Sequence, residues 1–248
     1  MGVDVTKDCQ GSAVHAVSFV HGMRSVFYTS MPCAAETLKG CGSNGAAADK
    51  QRLVSTLWDH LVAMETPLRK RCQSSTRAAF PIQVVYGPLG QPHLLFGTYR
   101  GPAISFSEGG GRVWAALCED ESDIGIDVAG TDEFQREYPF HRVFHPQELQ
   151  HALRLADGDL KKASALLWSI KEAVVKALGC AFHLVDPRQI TVYPSTGEAI
   201  RENGGYTFPV CLSGKALAHF PAGRSVWVRS LPRKKVWLSI ALLNRQHP

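Results

Sequence analysis

Trp168-Ser169-Ile170-Lys171-Glu172-Ala173-Val174-Val175-Lys176 is the stretch on which the reading of this chain turns. It lies within Leu160 to Gly179, where Leu166, Leu167, Ile170, Val174 and Leu178 recur at helical spacing. On that helix Trp168, Glu172 and Lys176 are four apart and stack along one face. Earlier, Gly125-Ile126-Asp127-Val128 reads as a short apolar strand carrying one acid. An acid at a strand end, with an acid and an ammonium on a helix, suits a hard divalent cation and a phosphate. Mg²⁺ takes oxygen ligands, commonly one or two carboxylates, with water and substrate phosphates filling its octahedron. A lysine can neutralise charge on the same phosphates. An unpaired Asp127 in so apolar a setting would be costly, so it holds either a metal or an ion-pair partner. Glu172 is open to a plainer reading too, as a surface partner of Lys176.

Bulk properties narrow the class. A chain of 248 residues can form one large domain or two small ones. Hydrophobic content of 45% and charged content of 20% fit a globular protein. No apolar run reaches the ~18 residues of a membrane span. Asp4, Lys7 and Asp8 precede any apolar stretch, unlike a signal peptide. Seven cysteines without a C-x-x-C pair argue against a disulfide framework or zinc site and for reduced thiols. The expectation is a soluble cytoplasmic protein. Residues 1–124 hold 11 Lys+Arg and 11 Asp+Glu, whereas 125–248 hold 16 and 11, so the net +5 lies in the second half. That charge would attract an acidic partner or a polyphosphate, or simply form a solvated face. The scattered basic residues and missing reading motifs argue against nucleic acid. There is no H-E-x-x-H, Walker loop or G-x-S-x-G.

The pattern of elements predicts an N-terminal subdomain over 1–123 and a C-terminal subdomain over 124–248. In the first, strands are expected at 13–20 and 82–86, with a helix from Ala48 to Met64. Ala103–Ser107 and Val113–Cys118 should form a hairpin around Glu108-Gly109-Gly110-Gly111. Those glycines could form an anion nest or only a turn. The Ala-, Gly- and Ser-rich stretch 33–47 is expected to be a flexible loop. In the second, Ile124–Val128 is a strand, followed by helices over Pro146–Ala156 and Leu160–Gly179. Strands are then expected near 189–193, 206–212, 225–231 and 236–243. Pro146 is well placed to open its helix.

From Ala48 to Tyr193 the chain resembles the 4′-phosphopantetheinyl transferases, in particular the larger, surfactin-synthetase-type class. Asp49-Lys50-Gln51-Arg52 resembles the family's first-half helix, and Gly90-Gln91-Pro92 its Gly-Lys-Pro turn. Ile104-Ser105-Phe106-Ser107-Glu108-Gly109-Gly110 resembles its Asn-x-Ser-His-Ser-Gly segment. Arg142-Val143-Phe144-His145-Pro146-Gln147-Glu148-Leu149 matches its Phe-x-x-x-Glu-Leu helix entry, and the Trp-Ser-x-Lys-Glu-Ala-x-x-Lys block matches throughout.

The resemblance implies an α+β fold of two similar subdomains in pseudo-twofold arrangement, each a small mainly antiparallel sheet on a long helix, with the active site in the cleft between them. It implies transfer of 4′-phosphopantetheine from coenzyme A to a serine of an acyl or peptidyl carrier protein by a monomer that uses Mg²⁺, or Mn²⁺ in its place. Asp127 and Glu172 would be metal ligands, with Glu172 and Lys176 catalytic. Ser107, Glu108, Gly90, Gln91, Arg52, Lys171 and Lys176 would meet coenzyme A. Trp168 is read as packing beneath the site. Phe134, Tyr138, Phe140, Arg136 and Arg142 would dock the carrier, although the aromatics could equally be core. The chain departs from the family pattern at Ala129, where a second acid is usual, at Glu108 in place of histidine and at Gln91 in place of lysine. Gly179-Cys180-Ala181-Phe182 also replaces Gly-x-Gly-Leu. Two other readings stay open: a carrier-binding relative without turnover, and a metal-dependent nuclease. The four-residue helical spacing of Glu172 and Lys176 argues against the nuclease.

Overall fold

The structure, a computed structural model, describes residues 13–19, 24–33, 44–64, 82–118, 122–135, 138–182, 184–195, 205–221 and 226–243. The chain divides into two compact units, Met1–Ser122 and Asp123–Pro248. Both are α+β, and in each a long helix packs on an antiparallel sheet.

In the first unit β1 (His15–Phe19), β2 (Arg24–Pro32), β6 (Ile104–Gly109) and β7 (Arg112–Cys118) form a sheet in the order β1-β2-β7-β6. Helix α1 (Asn44–Ala63) lies against β2 and β7. It buries Leu53, Val54, Leu57 and Leu61, one helical face, among Phe27, Ile104, Val113, Ala115 and Leu117. A second sheet holds β3 (Ile82–Tyr86), β4 (Pro92–Phe96) and β5 (Tyr99–Arg100). It is fastened to α1 by Gln51 Nε2 donating to the Ile82 carbonyl at 3.0 Å and by Trp58 against Phe96.

One expectation changes here, and one of two open readings is met. Residues 44–47 belong to α1 instead of the 33–47 loop, because Ala46, Ala47 and Ala48 are strong helix formers. Residues 34–43 lie outside the described residues. The glycines after Glu108 form a turn: Gly110 and Gly111, at φ 60° and 71°, supply the two left-handed residues of a primed two-residue hairpin.

In the second unit β8 (Asp123–Gly130), β9 (Ile190–Val192), β10 (Tyr206–Leu212), β11 (Val226–Arg233) and β12 (Val236–Leu243) form a sheet in the order β8-β12-β11-β10-β9. Short α2 (Phe140–Val143), then α3 (Pro146–Leu155) and α4 (Leu160–Ala177), follow β8, and α5 (Gly214–His219) follows β10. Helix α4 starts where Asp159 accepts hydrogen bonds from the Lys161 and Lys162 amides, at 3.0 and 3.2 Å. It stops at Gly179 (φ 69°), where the Gly179 and Cys180 amides return to the Lys176 and Val175 carbonyls. Between those caps it lies across β8 and β12.

Closest approach falls at Gly125. A Cβ there would come within 1.9 Å of the Ala173 carbonyl oxygen and 2.6 Å of the Ala177 amide nitrogen. Only glycine lets the strand lie this near the helix backbone. A second anchor is a buried ion pair. Lys171 Nζ donates to Glu148 Oε1 (2.7 Å) and to the Pro187 and Ile190 carbonyls (2.8 and 2.7 Å), with both side chains at most 1% exposed. Glu148 also accepts from the His145 and Val192 amides, at 2.8 and 3.1 Å. The pair binds α3, α4 and β9 together. Burial pulls the Lys171 ammonium below the ordinary lysine range, and Glu148 offsets part of that.

Two stability outcomes follow. Gly125→Ala should destabilise the second unit by about 3 kcal/mol or more, read as a lower urea midpoint, because neither backbone can yield. Lys171→Met should cost about 3–5 kcal/mol by stranding a buried carboxylate, and adding Glu148→Leu should recover much of the loss. A double variant no more stable than the single one would refute that account of the pair.

Candidate functional site

In the second unit the strand acid and the helix face meet. From Gly125, two residues along β8 bring Asp127 on to the α4 face that carries Glu172 and Lys176. Lys176 Nζ donates to Asp127 Oδ1 at 2.7 Å and to the Ile126 carbonyl at 3.2 Å. Lys176 is 29% exposed and Asp127 9%, so the pair sits at the edge of the core. Thus Lys176 pairs with the acid across the strand–helix contact, not with Glu172 one turn away on its own helix. Glu172 is pushed up to about 7, first by burial, then by Asp127 and Glu133, with Lys176 opposing them. The cluster therefore has more negative charge than its one lysine can balance.

Trp168, one turn before Glu172, packs at a tilt on Phe182 at 4.9 Å between centroids and meets Tyr138 edge-on at 6.5 Å. It packs beneath this face, as expected from the sequence. Sequence reasoning missed Glu133. It lies in the 3₁₀ turn Thr131–Glu133 against α4, where its Oε1 accepts the Gly130 amide at 2.6 Å. Although the residue is exposed, partial burial of its carboxyl raises it, the Gly130 amide opposes that, and Asp127 and Asp132 add to the rise. The signal was present as an acid three residues after a strand-ending glycine, the spacing of a capping acid. The Tyr138 hydroxyl, pushed up to about 12 by burial, also feels Glu133 and Glu172. Ala129, where the family pattern has a second acid, is 1% exposed and packed in the core with α4 residues.

Two assignments to ligand contact change. Lys171 is wholly buried and its ammonium is spent on Glu148 and two carbonyls, so it faces the interior instead of coenzyme A. Among the docking residues, Phe134 is 2% exposed and packs edge-on to Tyr138 at 4.9 Å, which makes it core. Tyr138 and Phe140 are partly buried against the same core, Arg142 is exposed, and Arg136 lies outside the described residues.

The remaining candidates lie in the first unit. Lys50 Nζ pairs with Glu108 Oε1 at 3.0 Å and lies 6.0 Å over the Phe106 ring, so Glu108 has a local counter-charge. Ser107 is buried at 6% exposure. Arg52 is 67% exposed, 3.9 Å from Asp49. Gly90 (φ 79°) and Gln91 close a tight turn in which the Gly87 amide donates to the Gln91 carbonyl. Among the described residues no three His, Cys, Asp or Glu side chains are grouped to hold a metal ion, so two carboxylates are the most the Asp127 cluster offers at once. Among the described residues no helix is long and apolar enough to cross a membrane.

Comparison with known proteins adds to this geometry. A 103-residue stretch is 31% identical to "Putative 4'-phosphopantetheinyl transferase slr0495" of Synechocystis sp., covering 40% of this chain and 40% of that protein. The chain thus matches less than half the length of that relative. A solved structure, the Chronobacterium ammoniagenes ACPS-CoA complex, is 21% identical over 52% of this chain and all of its own, with a TM-score of 0.41, too slight a likeness to build on. Residues 123–223, the stretch that contains Asp127, Glu172 and Lys176, match the 4′-phosphopantetheinyl transferase superfamily.

Proposed function

We propose that the protein transfers 4′-phosphopantetheine from coenzyme A to a serine of an acyl or peptidyl carrier protein, converting apo carrier to holo. The observation that carries this reading is the meeting of Asp127, Glu172 and Lys176 on one strand–helix contact inside the stretch that matches the superfamily.

The residues fit a divalent cation. Burial first, and then the neighbouring Asp127 charge, push Glu172 up to about 7, and bound cationic charge would oppose both. Asp127 and Glu172 would be the ligands, with water and phosphate oxygens completing the octahedron of Mg²⁺ or Mn²⁺. When bound, the ion would neutralise charge developing on the diphosphate.

The chain's own groups divide the remaining work. Glu172, titrating near neutrality, accepts the proton of the carrier serine directly or through water. The serine oxygen attacks the phosphorus attached to pantetheine, and the bond to the 3′,5′-ADP leaving group breaks. Lys176 is well placed to stabilise that leaving group, since its ammonium lies at the part-exposed edge of the cluster. Phosphoryl transfer asks the protein chiefly for positioning and electrostatics, which these groups supply. In the first unit Arg52, Gly90, Gln91, Ser107 and Glu108 are assigned to coenzyme A by the sequence resemblance. The Lys50 partner of Glu108 tempers the repulsion that acid would otherwise present.

Intact-mass measurement of apo carriers incubated with the protein, coenzyme A and Mg²⁺ tests this reading. The expected result is a gain of one phosphopantetheine. Glu172→Gln should lower kcat by roughly 10²–10⁴-fold. Carrier binding with no mass gain on any carrier would instead support the turnover-deficient relative.

A further inference from the structure

One row of directly opposed residues crosses the second unit's sheet: Asp127 on β8 stands opposite Ser239 on β12, which stands opposite Ser230 on β11. Directly opposed residues share a face. Helix α4 lies on that face, since its Lys176 reaches Asp127 and its Ser169 reaches Ser239. Ser169, Ser230 and Ser239 are each 0% exposed. Their hydroxyls form a chain, with Ser169 Oγ 2.7 Å from Ser239 Oγ and Ser239 Oγ 2.8 Å from Ser230 Oγ. Its direction is fixed. Ser169 donates its one proton to the Leu166 carbonyl at 2.9 Å, so Ser239 donates to Ser169 and Ser230 to Ser239.

Core packing does not account for this chain. The hydroxyls lie where α4 meets the sheet, and the core there gathers Leu166, Ile170 and Ala173 with Val228, Trp237 and Ala241. A small apolar side chain would fill each position with no polar group to satisfy. Ser164 shows the local alternative: it is also 0% exposed on α4, and its hydroxyl donates to the Leu160 carbonyl of its own helix. Ser169 makes a bond of that kind and bridges to the sheet as well. What a hydroxyl chain supplies beyond apolar packing is a fixed distance. Lys176 cannot supply it, because an ammonium on a flexible four-carbon stem follows Asp127 through a shift of the helix. A serine hydroxyl, one bond from Cβ, has no such reach.

We propose that Ser239, held between Ser169 and Ser230, is a positioning residue. The chain sets the height of α4 over the row that carries Asp127, and so the separation of Asp127 from Glu172, three residues beyond Ser169. This rests on the transferase reading. Catalytic groups work within about 0.5 Å of their productive geometry. A displacement of about 1 Å costs up to about 100-fold in rate.

Ser169→Ala/Ser230→Ala/Ser239→Ala tests the assignment, because removing the three hydroxyls together strands no partner. The urea midpoint should stay at or above that of the wild type. Meanwhile kcat should fall about 10–100-fold, with KM for coenzyme A and for the carrier unchanged. Crystal structures of the two proteins should differ by about 0.5 Å or more in the Asp127–Glu172 Cα separation. Ser239→Ala should show the same pattern to a lesser degree, and it decides the question if the triple variant does not fold. Ser164→Ala should leave kcat as it is. A triple variant with wild-type kcat, a loss of kcat no larger than the loss of folded protein, or an equal loss in Ser164→Ala would overturn the assignment. If the wild type modifies no carrier, the transferase reading fails separately. The crystal structures then decide the positioning claim: a changed separation upholds it, and superimposable Asp127 and Glu172 overturn it.

Discussion

The contact between Gly125 and the backbone of α4 is the constraint on which the second unit depends. With no side chain between them, strand and helix approach until a Cβ could not fit. Asp127 two residues on then reaches the Lys176 ammonium at 2.7 Å. A larger residue at 125 would do more than loosen the core. It would move the strand acid away from the helix face that carries Glu172 and Lys176, and the charge cluster would come apart.

Two neighbouring residues of α4, Lys171 and Glu172, have opposite fates. Lys171 points inward, is fully coordinated, and locks α3, α4 and the segment from Pro187 to Val192. Glu172 points to the partly exposed cluster, where burial, reinforced by Asp127 and Glu133, pushes its carboxyl up to about 7. Helical geometry separates them by about 100° around the axis, enough to place one in the core and the other at its edge. The lysine in the signature block is thus part of the scaffold, and the acid beside it is the reactive candidate.

Much of the second unit was legible in the sequence because its signals are local. Asp159 caps α4, Pro146 opens α3, and the apolar stripe of α4 is unbroken. The meeting of Asp127 with the α4 face was also anticipated, through motif order. What escaped was set by three-dimensional packing. The i,i+4 rule offers Lys176 to Glu172, but the cross-element acid won it because the strand lies so close. The inward turn of Lys171 required knowing where Glu148 sits, 23 positions earlier in the chain. Phe134 read as a docking anchor because aromatic residues beside arginines look alike whether they pack inward or outward. In the first unit the sequence missed β2, β4 and β5, since Arg24–Pro32 mixes polar and apolar residues without clean alternation, β4 begins at a proline and β5 is only two residues long.

The electrostatics unify these points. Three acids, Asp127, Glu133 and Glu172, surround a face on which Lys176 is already paired. Further positive charge would ease such a cluster, and this supports the proposal that a cation and a phosphate bind there. The most direct test is a carbon-13 NMR titration of the Glu172 carboxyl with and without Mg²⁺. In metal-free protein the carboxyl should hold its proton through mildly acidic pH and lose it near pH 7, and Mg²⁺ should move that transition toward acid, because a bound cation favours the carboxylate. A Glu172 that titrates in the ordinary carboxylate range and ignores Mg²⁺ would contradict the account.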